Sequence, residues 1–231
     1  MNEVLRQEKK YLLSYDQFRR LDHTFEQVLR PDSHNGTYGY PIRSLYFDTM
    51  QERDFYEKED GLEIRRKIRL RTYSPDSDFA MLEMKQKQGE NQKKRSLRLS
   101  KEDADELSRG QYSCLLKYEN SFAVECYGLM NMFCYRPKAI VEYQRKAYVA
   151  SENKTRITFD FAIKATESDF RFFSPTLNQN PVLDPYLVVM EVKYNGFMLS
   201  YIKQMVSLEG KSATSVSKYC LSRSAGLHYV F

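Results

Sequence analysis

Apolar and polar positions alternate with a period of two along most of the chain, the pattern of strands buried on one face. Residues 4–13, VLRQEKKYLL, are the first such run. At Ser14 the period lengthens: Phe18, Leu21, Phe25, Val28 and Leu29 make a helical stripe, and Ser14 with Gln17 has capping-box spacing. Pro31 ends that helix, and residues 32–39 read as a polar loop. RSLYFDT, 43–49, predicts a strand, and Thr49 with Glu52 repeats the capping-box spacing before a short helix closing near Gly61. IRRKIRLRTY (64–73), AMLEMKQKQ (80–88) and KKRSLRLS (93–100) predict a meander. Residues 101–135 read as mainly helical. KAIVEYQRKAYVA (138–150), TRITFDFAIKA (155–165) and YLVVMEVKY (186–194) predict further strands, with a loop over 168–185. A helix follows in SYIKQMVSLEG, and SVSKYC predicts a last helical turn. No repeat or linker interrupts this order, so 1–231 reads as a single domain. About eight strands with few helices predict an α+β fold: a closed antiparallel β-barrel, a tunnel, with helices packed outside.

The charges sit oddly on these strands. IRRKIRLRTY places Arg65, Lys67, Arg69 and Arg71 on one face, opposite Ile68, Leu70 and Thr72. The first strand puts Arg6, Glu8 and Lys10 together, and AMLEMKQK alternates Glu83, Lys85 and Lys87 with Leu82 and Met84. In TRITFD, Arg156, Thr158 and Asp160 share a face; in YLVVMEVKY, Glu191 and Lys193 do. Any one of these strands reads as an ordinary amphipathic strand with its charges in water. Together they predict something else. A barrel covered by helices turns its apolar faces outward, so its charged faces line the lumen. Burying unpaired charge costs several kcal/mol per ion, roughly, so a lumen richer in cations than carboxylates needs water or a polyanion.

Composition narrows the classes. The 36 basic and 31 acidic residues leave a net charge of only +5, too even a balance to imply nucleic-acid binding by itself. The strands carry only scattered Tyr among their cations, so no nucleic-acid partner is expected. The cysteines, Cys114, Cys126, Cys134 and Cys220, form no CxxC pair and sit among apolar residues, which predicts reduced, buried thiols and a cytoplasmic protein. His23, His34 and His228 are far apart, against a histidine metal site. No apolar run approaches a membrane span of about 20 residues, and no secretory h-region opens the chain. A Walker A pattern is absent, so phosphate would be held by side chains rather than a backbone cradle.

The ordered set RxExKY, SLYFDT, KIRLRTY, LEMKQK, KKR, YQRKAY, RITFD, MEVKY and SVSKY resembles the catalytic domain of the vacuolar transporter chaperone (VTC) family. Bacterial polyphosphate polymerase domains share that pattern, and all are triphosphate tunnel metalloenzymes. The resemblance runs from Arg6 to Tyr219. It implies a tunnel of about eight antiparallel strands lined with Lys, Arg and Glu. It also implies catalytic roles for Lys10, Arg69, Arg71, Lys85, Arg145, Arg156 and Lys218. Lys94 matches the next basic strand, with Arg95 as its ambiguous neighbour. Arg6, Lys67, Lys87 and Lys193 are the further phosphate-binding candidates, with Arg65 as a lining residue. Glu191 corresponds to the family's metal-binding glutamate; Glu83 and Glu8 are further candidates for Mn²⁺ or Mg²⁺, each equally readable as a structural partner of a neighbouring cation.

Tunnel triphosphatases begin with ExExK, whereas this chain has RxExK, with Arg6 in place of the first acid. That departure weakens a hydrolytic metal site and favours the polymerase branch. The implied reaction transfers the γ-phosphoryl group of ATP to a growing inorganic polyphosphate chain. The alternatives are a metal-dependent tripolyphosphatase or nucleoside triphosphatase, and a non-catalytic polyphosphate-binding module. Family members often act beside membrane proteins that receive the product, which implies a membrane-protein partner.

Overall fold

A computed structural model describes residues 6–89, 91–207 and 214–227. In chain order the elements are β1 (Arg6–Ser14), α1 (Tyr15–Val28), β2 (Arg30–Pro31), β3 (Tyr40–Asp48), α2 (Arg53–Glu59), β4 (Ile64–Thr72), β5 (Phe79–Gln88) and β6 (Asn91–Ser100). There follow α3 (Lys101–Ser108), a 3₁₀ helix (Tyr112–Lys117), α4 (Ser121–Met132), β7 (Arg136–Ala150), β8 (Thr155–Thr166), β9 (Asn180–Pro181), β10 (Leu187–Asn195), α5 (Ser200–Ser207) and α6 (Lys218–Leu227).

The fold is α+β, and its strands form an antiparallel sheet with the hydrogen-bonded order β1-β10-β8-β7-β3-β4-β5-β6. Two-residue β2 and β9 attach to β7 and β8, so the sheet has ten strands where sequence predicted about eight. The path ends at β1 and β6, and hydrogen bonds among the described residues do not close it into a barrel. The chain gathers into two compact units, each drawn from three separated segments. The first comprises Met1–Pro41, Tyr143–Ile163 and Leu183–Ser217; the second comprises Ile42–Glu142, Lys164–Val182 and Lys218–Phe231.

In the first unit, α1 starts where predicted: Ser14 Oγ accepts from Gln17 N and Gln17 Oε1 accepts from Ser14 N. This reciprocal cap is worth about 1 kcal/mol. Phe18, Leu21, Phe25 and Leu29 are buried, but Val28 is exposed, at the end of the stripe predicted for it. Their partners are Tyr11, Leu13, Ile157, Phe159, Val188, Met190 and Val192, joined by Ile202 and Val206 of α5.

In the second unit, α3, the 3₁₀ helix and α4 contribute Leu107, Leu115, Phe122, Ala123, Cys126 and Met130 to a core with Leu45, Phe47, Ile68, Leu70, Leu82, Met84 and Leu99. In each unit, then, helices cover the apolar side of the strands, and the charged positions of the same strands lie on the opposite side. Burial of the core offsets the cost of holding those charges near one another.

Three details correct the sequence reading. The start of α2 is capped by Asp48 rather than by a Thr49/Glu52 box. Asp48 accepts from the amides of Asp54 and Phe55, Thr49 Oγ1 accepts from Arg53 N, and Glu52 is left-handed with no side-chain cap. A carboxylate one residue upstream reaches two orphan amides at once and outcompetes a hydroxyl. Cys134 is exposed, unlike Cys114, Cys126 and Cys220, although all four are free thiols. The predicted last turn is a full helix, α6.

Candidate functional site

The register across β3–β6 fixes which side chains share the charged face of the second unit. Tyr46 pairs with Arg69 and Ser44 with Arg71. Arg65 pairs with Lys87, Lys67 with Lys85 and Arg69 with Glu83. Lys85 in turn pairs with Lys94, and Glu83 with Ser96. Lys67, Lys85 and Lys94 therefore form one row of like charges across three strands, and Arg65 and Lys87 begin a second. Like charges directly opposite are destabilising.

Glu83 is the carboxylate among the β4–β6 cations of this face. Its Oε2 lies 2.8 Å from Arg69 Nε and 3.7 Å from Arg71 Nη1, and its Oε1 lies 2.5 Å from Lys94 Nζ. Burial pushes the Glu83 carboxyl up, but Arg69, Arg71 and Lys94 outweigh it and hold it at about 2. Arg71 is buried, and its Nε meets no acceptor among the described residues; nor does the buried Ser44 Oγ. Arg95, the ambiguous neighbour of Lys94, points the other way: its guanidinium is bound by both oxygens of Glu125 on α4. Arg65 gives Nη1 to the Leu62 carbonyl.

An aromatic pair floors this face. Tyr46 and Tyr219 stack with centroids 5.2 Å apart, and the Lys67 ammonium lies 5.8 and 5.3 Å from their centroids. Arg69 donates to the Tyr46 hydroxyl at 3.2 Å, and Tyr219 donates to Asp48 at 2.6 Å. Lys218, beside Tyr219 at the start of α6, is buried.

The charged face of the first unit is built differently. Glu8 pairs with Lys193 and Lys10 with Glu191, so acids and bases form a checkerboard. Lys10 Nζ is 3.4 Å from Glu8 and 3.5 Å from Glu191; Lys193 Nζ is 3.8 and 3.1 Å from the same two carboxylates. Lys10 also donates to the Val216 carbonyl at 2.7 Å.

Arg145 gives Nε and Nη2 to Asp160, both at 2.6 Å, in a buried fork, and stands 4.0 Å from Glu191. Gly39 packs against the backbone of Arg145. At φ +79° its backbone lies so close to Arg145 that a Cβ there would sit 2.3 Å from the Arg145 carbonyl oxygen. Arg156 donates to Asp32 at 2.5 Å and to the Tyr40 hydroxyl at 3.1 Å. Burial raises the Asp32 carboxyl, but hydrogen bonds from His34 and Arg156 bring it to about 2.

The structure thus gathers Arg69, Arg71, Lys67, Lys85, Lys87, Lys94, Lys218 and Glu83 in the second unit. It gathers Lys10, Lys193, Glu8, Glu191, Arg145 and Arg156 in the first. Arg6 opens β1, but its side chain lies outside the described residues. Sequence reading missed Asp32, Tyr40, Tyr46, Tyr219 and Gly39. It also gave Asp160 no role beyond sharing a face with Arg156, although their parity on one strand was the available signal.

Among the described residues no three carboxylate, imidazole or thiol groups gather as a metal cluster. Glu8 and Glu191 still fit a hard divalent ion. Mg²⁺-type sites use one or two carboxylates, with waters and phosphate oxygens completing the shell, and here two carboxylates already share two cationic ammonium groups. Glu83 has three cations around it and no second carboxylate, the surroundings of an ion-pair partner.

The family described as VTC domain matches residues 5–226. Among solved structures, a candidate adenylate cyclase of Bacillus halodurans is similar, with a TM-score of 0.54 at 11% identity, covering 93% of each chain. A candidate adenylate cyclase of Vibrio parahaemolyticus gives a TM-score of 0.52 at 15% identity, covering 96% of this chain and 98% of that one. At such identities the likeness establishes a shared fold. A comparison with curated proteins returned no match. No helix among the described residues is long and apolar enough to cross a membrane.

Proposed function

The chain belongs to the VTC domain family, and on that premise we propose that it is an ATP–polyphosphate phosphotransferase. A terminal phosphate oxygen of the polyphosphate chain attacks the γ-phosphorus of ATP. The new P–O bond lengthens the chain, and the bond to the bridging oxygen breaks with its electron pair leaving on ADP. No side-chain nucleophile is needed, and the protein acts by positioning and by neutralising charge.

The observation that carries this reading is the cationic surplus on β4–β6, where the Lys67–Lys85–Lys94 row stands beside a single carboxylate already shared by Arg69, Arg71 and Lys94. A polyanion relieves the repulsion within such a row. Arg69 and Arg71 are the groups to hold phosphate oxygens, and Arg71 Nε is a buried donor with no acceptor among the described residues. Lys67, Lys85, Lys87, Lys94 and Lys218 screen repulsion between two polyanions. In the first unit, Glu8 and Glu191 would hold Mn²⁺ or Mg²⁺, with Lys10 and Lys193 moving to phosphate oxygens. Such an ion would neutralise charge on phosphate oxygens drawn to that face. Arg145, whose Nε and Nη2 are given to Asp160, acts as a fixed positive charge beside Glu191.

Incubation with ATP and Mn²⁺, followed by gel separation of the products, tests the assignment. Long phosphate chains together with ADP are expected. Orthophosphate without chains would make the protein a hydrolase, and tight polyphosphate binding without ATP turnover would make it a binding module. For the metal, Glu191→Gln is expected to weaken Mn²⁺ binding by on the order of a hundredfold, read by electron paramagnetic resonance without nucleotide. An unchanged Mn²⁺ titration would place the ion elsewhere.

A further inference from the structure

We propose that the Tyr46 hydroxyl is a phosphate-contacting donor in the second-unit site, oriented by its stack on Tyr219 and its bond from Arg69. This rests on the reading that the β4–β6 face binds phosphate.

Tyr46 lies on the charged face of β3, opposite Arg69 of β4, among residues whose neighbours are cations. Its ring is fixed from below by Tyr219, whose own hydroxyl is committed to Asp48. Asp48 is in turn held by the amides of Thr49, Asp54 and Phe55. The stack is therefore anchored to the start of α2, and Tyr46 has little rotational freedom.

Arg69 is clamped in the same way. Nε and Nη2 contact Glu83, both at 2.8 Å, while Nη1 donates to the Tyr46 oxygen. A guanidinium only donates, so the phenol oxygen is the acceptor in that bond, and its proton is directed to another acceptor. A phosphate oxygen drawn to Arg69, Arg71 and Lys67 is such an acceptor. O–H donation to an anion is short and strong.

The groups facing Tyr46 are Lys67, Arg69 and Arg71 from β4 and Lys218 from α6. Glu83 faces it at one remove through Arg69, and Asp48 through Tyr219. Burial raises the phenol, but the four cations outweigh it and draw it below the ordinary tyrosine value. A phenol so placed donates strongly while protonated and loses that role when it ionises. A bound anion opposes ionisation, so phosphate binding and phenol ionisation compete.

Tyr46→Phe keeps the ring stack and removes only the hydroxyl. Inorganic tripolyphosphate is the probe, with affinity measured by calorimetry and tyrosinate formation followed by absorbance near 295 nm, a wavelength set by phenolate chemistry. Wild-type protein is expected to bind tripolyphosphate, and Tyr46→Phe to bind it roughly tenfold more weakly with an unchanged unfolding midpoint. One tyrosinate transition of the wild type, absent in the variant, is expected to move to higher pH when tripolyphosphate is present. Equal affinities together with a transition insensitive to tripolyphosphate would overturn the role of Tyr46 while leaving the phosphate site standing, provided Arg69→Ala abolishes binding. Failure of the wild type to bind tripolyphosphate would overturn both the inference and the reading it rests on.

Discussion

The two charged faces use the same residue types and balance them differently. On the second unit, Arg69, Arg71 and Lys94 crowd a single carboxylate, Glu83, and a lysine row runs beside them. On the first, Glu8 and Glu191 alternate with Lys10 and Lys193, and Arg145 is closed on Asp160. A buried charge matched by its own partner belongs to the fold, because removing either member strands the other. Where cations outnumber the carboxylates of their own strands, the repulsion that remains is what a polyanion would relieve. On the proposed reading, the same arginine chemistry serves as scaffold in one unit and as binding surface in the other.

That contrast breaks most visibly at Asp160. Asp160→Asn leaves the buried Arg145 guanidinium without its counter-charge and is expected to cost about 3–5 kcal/mol of stability, measured by urea unfolding. A loss below about 1 kcal/mol, the level of an exposed pair, would show that the Arg145–Asp160 fork is not structural.

Arg69→Ala is the complementary change. It is expected to raise the barrier to phosphoryl transfer by about 2.7–4 kcal/mol, by analogy with the loss of one donor to a developing anion, with the unfolding midpoint retained because Glu83 keeps Arg71 and Lys94. Normal turnover would remove the surplus face from the mechanism.

A pH-dependent effect separates two carboxyls of the second unit. Glu83 is held at about 2, so its contribution is full above the ordinary carboxylate range and is lost as pH falls through about 2. Asp54 is the reverse: burial first, then the neighbouring Asp48, raise it to about 8. Between the ordinary carboxylate range and about 8 the unfolded chain has released a proton that the native chain still holds. Stability therefore falls as pH rises across that window and levels off above it. Asp54→Asn is expected to flatten this limb of the stability profile, and parallel profiles for the two proteins would contradict the assignment.

The alternation of apolar and charged residues showed which side of each strand the helices cover, because parity survives any detail of packing. It also placed Lys94 on the charged face and Arg95 on the other once β6 was in register. The pairings of charges were not legible in the same way. Arg145 meets Asp160 from a neighbouring strand, and Arg156 meets Asp32 from a loop far upstream. Such partners depend on register and loop path, which one-dimensional spacing does not encode. The Tyr46–Tyr219 stack joins positions near opposite ends of the chain, and an aromatic in a strand reads first as core. Strand number alone does not encode closure, and among the described residues the hydrogen-bonded path runs open from β1 to β6.

Whether the cations of β4–β6 bind phosphate is read at once from a crystal structure with bound inorganic tripolyphosphate. Phosphorus positions within hydrogen-bonding reach of Arg69, Arg71 and Lys94 are the predicted result. Tripolyphosphate ordered at another surface, or that face left without phosphorus at saturating ligand, would show that these cations do not bind phosphate.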